Sequence, residues 1–441
     1  MKRKRRVAPS SEMTDAHDRE TARSAPDDGA RRAVAAVWRI ESAKIVATLT
    51  RTVGDFGLAE DLAQEALLDA LRQWPVDGVP RNGAAWLTAV AKRKAVDGWR
   101  RRERLDERMA VLAHDLQREQ AEQSDAAPWD PDAIDDDVLR LIFISCHPVL
   151  SREAQVALTL RVVGGLSSEQ IARAFLVPTA TVQQRIVRAK KTLAAANVPF
   201  EMPPREDHAA RLGAILGVLY LIFNEGHAAS SGPDWMRPEL SLEAIRLVRV
   251  LAALMPRERD VHSLLALMEL TAARFPARVD PHGEPVLLAD QDRRRWDRSR
   301  IGRGRAALTA ADALGSGRGP YGLQAAIAES HAVAPSIDET DWDRIVLLYE
   351  ALGRIAPSPV VELNRAAAVA MATGPASALQ IIDALAASGA LAGYHLLPAT
   401  RAELLVRLGR ADEARSEFAV AAALAGNDRE RALLQAKATE R

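Results

Sequence analysis

Gly164-Gly-Leu-Ser-Ser-Glu-Gln-Ile-Ala-Arg-Ala-Phe-Leu-Val-Pro-Thr-Ala-Thr-Val-Gln-Gln-Arg-Ile-Val-Arg-Ala-Lys-Lys191 is the stretch whose reading decides the fold. Ser167 can cap a first helix, with Gln170 three residues on as the return partner of a capping box. Ile171, Ala172 and Phe175 give that helix its apolar side. Leu176-Val177-Pro178 breaks the pattern, and proline is tolerated at the start of the next helix. There Val182, Ile186 and Ala189 fall at i, i+4 and i+7, one buried stripe. Thr181, Gln183, Gln184, Arg185, Arg188 and Lys191 are left for the outer face. Between Pro178 and Lys191 stand four basic residues, Arg185, Arg188, Lys190 and Lys191, and no acid. Gln and Arg make paired hydrogen bonds to base edges in the major groove, and Lys and Arg neutralise phosphates. The segment predicts a helix-turn-helix. A helical hairpin with a solvated basic face is the plainer reading.

Working outward, charge comes in blocks. The whole chain of 441 residues carries 59 basic and 59 acidic residues, so the net charge is zero and excludes nothing. Trp86 to Arg108 holds eight basic and four acidic residues, a surplus of four positive charges. Met109 to Asp137 holds nine acids and one arginine, a surplus of eight negative charges. Blocks of opposite sign cancel in the sum, yet each can face its own partner.

Nearly everything after residue 30 reads as helix, so the expected class is all-α. Aromatic residues are 4 % of the chain, and no stretch alternates as a strand would. Residues 1–32 are polar and form a basic tail expected to be disordered. A first helical block covers 33–108. In it, Leu58, Leu62, Ala66, Leu67, Ala70 and Leu71 face inward, while Asp61, Gln64, Glu65 and Arg72 face out. Trp74 to Gly83 is read as a Pro/Gly-rich loop. Ala84 to Arg102 is another helix, apolar at Leu87, Val90, Ala91 and Ala95. The acidic stretch 109–137 is a linker by composition, and a packed element around Asp135–Asp137 is not expected. The helix-turn-helix block covers 138–198. The last block, 205–441, is more than half the protein. Near its end, Asn364-Arg-Ala-Ala-Ala-Val-Ala and Thr400-Arg-Ala-Glu-Leu-Leu-Val-Arg-Leu-Gly repeat at an offset of 35 to 36, close to the period of tetratricopeptide helix pairs.

Cys146 is the single cysteine, so no intrachain disulfide is possible and a reducing compartment is expected. The thiol is read as buried and structural. No apolar run is read as membrane-spanning, and no hydrophobic stretch follows the basic Lys2-Arg-Lys-Arg-Arg6. Asp290-Gln-Asp-Arg-Arg-Arg-Trp-Asp297 reads as a charged helix start rather than a catalytic centre. No nucleophile elbow, phosphate loop or His pair at metal spacing occurs. No catalytic residue, cofactor or metal ligand is assigned.

Ala59-Glu-Asp-Leu-Ala-Gln-Glu-Ala66, then Ala85-Trp-Leu-Thr-Ala-Val-Ala-Lys-Arg-Lys-Ala-Val-Asp97 with its arginine tail, then an acidic linker and the helix-turn-helix stand in an order that resembles a bacterial sigma factor. The resemblance is to the extracytoplasmic-function type of the sigma-70 family. Leu219-Tyr-Leu-Ile-Phe-Asn-Glu-Gly-His227, Leu288-Ala-Asp-Gln-Asp-Arg-Arg-Arg-Trp-Asp297 and Pro357-Ser-Pro-Val-Val-Glu-Leu-Asn-Arg365 resemble the group with a long C-terminal tetratricopeptide-like extension. The resemblance implies a region 2 helical bundle, the linker, a region 4 helix-turn-helix and a regulatory helical domain. It implies that Asp61, Gln64 and Glu65 dock on core RNA polymerase. It implies that Asp77, Arg81 and Asn82, with Lys92, Arg93 and Arg100, capture an unstacked base of the −10 element. Thr181, Gln183, Gln184, Arg185, Arg188 and Lys191 would read the −35 duplex. Trp86 and Trp99 are stacking platforms or, more simply, core. The acidic linker would occupy a positively charged channel as an RNA mimic, or be a plain tether. The partners implied are core polymerase, promoter DNA and a protein or peptide held by the extension, in the cytoplasm and without a membrane. A helix-turn-helix regulator with a ligand- or protein-sensing helical domain is the alternative; it leaves the first block without a task.

Overall fold

The computed structural model describes residues 12–103, 131–175, 177–229, 234–315 and 317–439. Side chains are described from residue 29 to 97 and again from 137 onward. Among the described residues the chain is all-α, with one isolated bridge between Val279 and Pro285. It divides into two compact units. One holds residues up to 171 together with 179–211; the other holds 172–178 and 212–441.

In the first unit, α1 (Glu12–Val53) packs against α2 (Phe56–Asp77), α3 (Gly83–Glu103) and α4 (Pro131–Ser145). α1 reaches back into the stretch read as a tail, whose first 11 residues and the linker residues 104–130 lie outside the described ones. Val34, Leu49, Ala59, Ala66, Leu87 and Leu141 are fully enclosed. Each buried Leu or Val contributes roughly 1.5–3 kcal/mol relative to exposure, which ties the four helices into one core.

Three sequence expectations change here. α2 does not end at Trp74: it runs through Pro75 to Asp77, and the Gly78 N–H bonds the Trp74 carbonyl (3.0 Å). Gly78 has φ +90°, which stops the helix, and buried Trp74 anchors its last turn. Leu71 is exposed at 37 % rather than inward, one step beyond the buried stripe Ala63, Ala66, Ala70 and Trp74. The acidic linker ends early, because Pro131 opens α4, a position where proline fits a helix. Asp137 is fully buried, paired with Arg140 (2.6 Å) and Arg51 (3.2 Å).

α5 (Arg152–Leu158) continues through a π-helical turn, Thr159–Val163, into the helix-turn-helix. Cys146 is 1 % exposed, its Sγ 3.3 Å from the Thr159 hydroxyl, and burial pushes the thiol up to about 11.

In the second unit, α8 (His208–His227), α9 (Pro238–Leu254) and α10 (Arg259–Ala272) are followed by a stretch of short turns. Then come α11 (Arg298–Ala313), α12 (Pro320–Val333), α13 (Trp342–Ile355), α14 (Pro359–Ala372), α15 (Pro375–Ala387), α16 (Leu396–Arg407), α17 (Ala411–Leu424) and α18 (Asp428–Thr439). From α10 onward each helix packs on the next in chain order. Small residues allow this: Ala366, Ala378, Ala402, Ala414 and Ala421 all lie in one buried cluster. Arg407 donates to the Ala370 carbonyl (3.0 Å), linking helices at about the offset of the repeat. α8, 20 residues long, contains an 18-residue window of mean hydropathy 1.3, long and apolar enough to cross a membrane by length and composition. Eight of its residues, among them Ile215, Leu219 and Phe223, are buried in the protein. At Gly226 a Cβ would lie 2.4 Å from the Ser241 nitrogen, so α8 and α9 touch there only because glycine stands at that point.

Candidate nucleic-acid interface

α6 (Ser168–Phe175) and α7 (Thr179–Ala195) form the helix-turn-helix. Both halves of the capping box are made: Ser167 N–H donates to Gln170 Oε1 (2.8 Å), and Gln170 N–H to Ser167 Oγ (3.2 Å). The turn is closed by the Val177 N–H on the Ala172 carbonyl (3.1 Å). Residues 172–178 belong to the second unit, where Arg237 donates to the Ala174 carbonyl (2.9 Å) and to Glu225 (2.6 Å).

On α7, Val182, Ile186, Ala189 and Leu193 are buried. Gln183, Gln184, Arg188 and Lys191 are exposed, and Thr181 and Arg185 are partly so. The exposed set lies along one helix and carries no acid. Arg185 lies near Glu153, whose carboxyl is held below its ordinary value by its own backbone N–H and the Ser151 hydroxyl, with a smaller pull from Arg185.

The neighbouring lysine behaves differently. Lys190 turns inward, to Glu60 (2.5 Å) and Asp61 (2.6 Å), and Arg161 meets the same Glu60 (3.2 Å). Burial pulls the Lys190 ammonium down, but the two carboxylates outweigh it and its pKa is raised. Asp61, read as polymerase-facing, is therefore exposed but already paired. Glu65, read the same way, pairs with Lys94 (3.3 Å), as does Asp69 (2.9 Å); Gln64 is partly buried. The hydrogen bond to Asp69 is the main cause that raises Lys94.

The residues assigned to the −10 element surround the α2–α3 junction. Asp77 is the last residue of α2 rather than part of a loop, because the helix continues through Pro75. Arg81 and Asn82 are exposed in the five-residue connection 78–82. The Asn82 side-chain oxygen caps α3 by accepting from the Ala85 N–H (3.0 Å). At Gly83 a Cβ would lie 2.7 Å from the Trp74 ring, which fixes the chain's approach. Trp86 packs edge-to-face on Trp74 (centroids 5.6 Å apart), so core packing accounts for it. Lys92 is partly buried and Arg93 exposed. The side chains of Trp99 and Arg100 lie outside the described residues. A concavity of about 130 Å³ between α1 and α3 is lined by Glu41, Lys44, Thr48, Arg51, Thr88 and Lys92, with Lys44 3.7 Å from Glu41. Lys44 and Arg51 escaped the sequence reading, since nothing local tells which face of a long helix meets α3.

Among the described residues no group of His, Cys, Asp and Glu is arranged to hold a metal. Asp292 and Asp297, singled out in the sequence, cap a short turn and α11 through the N–H groups of Arg294 (3.0 Å) and Arg300 (3.1 Å).

Comparison with known proteins matches this architecture. Residues 40–105 match the sigma-70 region 2 model, residues 140–193 the sigma-70 region 4 model, and residues 211–312 a family of unknown function designated DUF6596. An uncharacterised protein of Rhizobium meliloti is 45 % identical over 393 residues, 88 % of this chain and 90 % of that one. A probable ECF RNA polymerase sigma factor of Mycobacterium tuberculosis, SigI, is 30 % identical over 175 residues, 39 % of this chain and 58 % of that one. The helix-turn-helix joined to a region 2 bundle defines a sigma-70 family protein. Within that family the chain belongs to the extracytoplasmic-function type and carries a C-terminal extension.

Proposed function

We propose that the chain binds core RNA polymerase and directs initiation at promoters with two elements. In this reading region 2 captures a −10 base and region 4 reads the −35 duplex. The observation that carries the reading is the exposed, acid-free face of α7, in which Gln183, Gln184 and Arg188 stand ready for base edges and Lys191 for phosphate. The basic concavity beside α3 supports the single-stranded half, because phosphates follow cationic grooves. Lys190 neutralises Asp61, so docking of the acidic α2 face on polymerase competes with that pair.

The extension controls this activity in cis. Helices packed in chain order, with small residues between them, support a tetratricopeptide-like array that holds a protein or peptide. A tether places it near the sigma core at roughly millimolar effective concentration. The setting is the cytoplasm, where polymerase and promoter are. Run-off transcription with purified core enzyme tests the main reading; duplex binding that owes nothing to polymerase would instead identify an ordinary regulator. Deleting residues 205–441 tests the control. Promoter activity is expected to fall, and unchanged activity under every condition would make the extension a passenger.

A further inference from the structure

The second unit contains a cationic cluster that its own carboxylates do not neutralise. Arg278 and Arg293 are 7 % and 8 % exposed, and Arg274 is partly exposed. Arg278 lies over the Trp235 ring (5.7 Å to the centroid). Arg274 and Arg293 both lie over the Trp296 ring (5.6 and 4.9 Å). The rings of His227, Phe223 and Phe275 pack mutually (centroids 5.8 to 6.4 Å apart), and Arg278 contacts the His227 Nε2 (2.7 Å) and carbonyl (2.8 Å).

Neutral acceptors occupy part of these guanidiniums. Arg274 donates to Gln291 Oε1 (3.2 Å). Arg293 donates to the carbonyls of His331 and Ala334 and to Thr340 Oγ1 (2.7, 2.8 and 3.1 Å). Among the described residues none of the three pairs with a carboxylate. The nearby acids are engaged elsewhere: Glu269 with Arg249, Arg300 and Arg303, and Asp297 with Arg300. The cations feel one another instead. Burial, then the neighbouring Arg293, lowers Arg274 to about 10; burial, then Arg274, lowers Arg278 to about 9.

A second observation points the same way. Trp235 Nε1, Trp296 Nε1 and His331 Nδ1 are buried and meet no hydrogen-bond partner among the described residues. Trp296 as a whole is 2 % exposed. An orphaned buried donor is destabilising, and a buried cation without counter-charge more so. Two indole donors without a partner and three guanidiniums without a carboxylate thus belong to one cluster, a donor set suited to an oxyanion.

We propose that Arg274, Arg278, Trp235 and Trp296 form a binding site for an oxyanion, the carboxylate or phosphate group of a small molecule. Arg293 adds charge from behind Trp296. A planar guanidinium suits an oxyanion's paired oxygens, and the indole N–H groups supply further donors. Arg274 is partly exposed to solvent. The inference does not rest on the promoter reading.

Calorimetry and thermal unfolding of the full chain with inorganic phosphate and with succinate, against chloride at matched ionic strength, test the site. One anion per chain is expected, with the unfolding midpoint raised by about 3 °C at saturation. A response to phosphate alone identifies a phosphate site, and to succinate alone a carboxylate site. Arg274→Gln is expected to weaken binding tenfold or more. Trp296→Phe keeps the ring and removes only the N–H; it is expected to weaken binding about threefold to tenfold without lowering the ligand-free midpoint. Gln291→Glu supplies a carboxylate to Arg274 from within and is expected to abolish the response. No response beyond chloride overturns the proposal, as does an undiminished response in both Arg274→Gln and Trp296→Phe.

Discussion

Arginine is used in opposite ways in two regions of this molecule. On α7, Arg188 is exposed beside Lys191, and hydration sustains the charge at little cost. In the extension, Arg278 and Arg293 are enclosed and Arg274 and Arg300 half-buried, and what surrounds each one decides its energetics. There, Glu269, 1 % exposed, gathers Arg249, Arg300 and Arg303, whereas Arg274, Arg278 and Arg293 have aromatic rings and carbonyls. An exposed row suits a polyanion bound through counterion release and is salt-sensitive. An enclosed cluster is screened far less. A net charge of zero conceals both arrangements.

The most damaging way to break the comparison is Glu269→Ala. Removing one partner of a buried ion pair costs about 3–5 kcal/mol; here Arg300 is left half-buried while water reaches Arg249 and Arg303, so the loss falls at the lower end, about 3 kcal/mol. Urea unfolding followed by circular dichroism is expected to show this loss in the second unit; a loss under 1 kcal/mol would mean that water already neutralises the group.

Acid should break the enclosed side next. Burial, then Arg274 and Arg293, lowers the His331 imidazole to about 4. The unfolded chain takes up that proton near pH 6.5, so the stability due to neutral His331 is present above 6.5 and is lost as pH falls toward 4. The drop is about 2–3 kcal/mol. His331→Gln is expected to flatten the profile in that window, and a superimposable profile would assign the acid sensitivity elsewhere.

On the exposed side the effects are smaller and are read on DNA. Gln184→Ala should cost about 1–3 kcal/mol of discrimination between matched and mismatched −35 duplexes. Competition binding by the polymerase complex measures it; equal losses on both duplexes would remove Gln184 from the reading set. Lys191→Ala sharpens the contrast most gently. It should weaken every duplex alike and lower the salt slope by about 1, while the stability of the second unit stays the same. A sequence-dependent loss would move Lys191 from phosphate to base.

The helix-turn-helix was legible because its signals are local. Ser167 and Gln170 lie three residues apart, and Val182, Ile186 and Ala189 repeat with the helical period. The partners of Lys190 were not legible: the helical period sets it apart from Lys191, four residues after buried Ile186, but its carboxylates, Glu60 and Asp61, stand about 130 residues away. Asp137 misled for a related reason. Proline and three successive acids read as a linker, yet Pro131 starts a helix and a partner on α1 receives Asp137. Arg274, Arg278 and Arg293 follow no motif spacing, because the chain between α10 and α11 brings them to the tryptophans through short turns. Of the candidate site, the exposed face of α7 could be drawn from the sequence, whereas the pairing of Asp61 and Glu65 could not.

The enclosed Cys146 has a practical consequence. With its thiol near 11, about one molecule in ten thousand carries the thiolate at pH 7, and 1 % exposure keeps reagents from it. Because it is the only cysteine in the chain, the wild-type protein is already a blank background for thiol labelling. A cysteine placed at Gln183 or at Arg81 would take a fluorophore alone. Movement of α7 or of the α2–α3 connection could then be followed in the native chain with no sulfur removed beforehand.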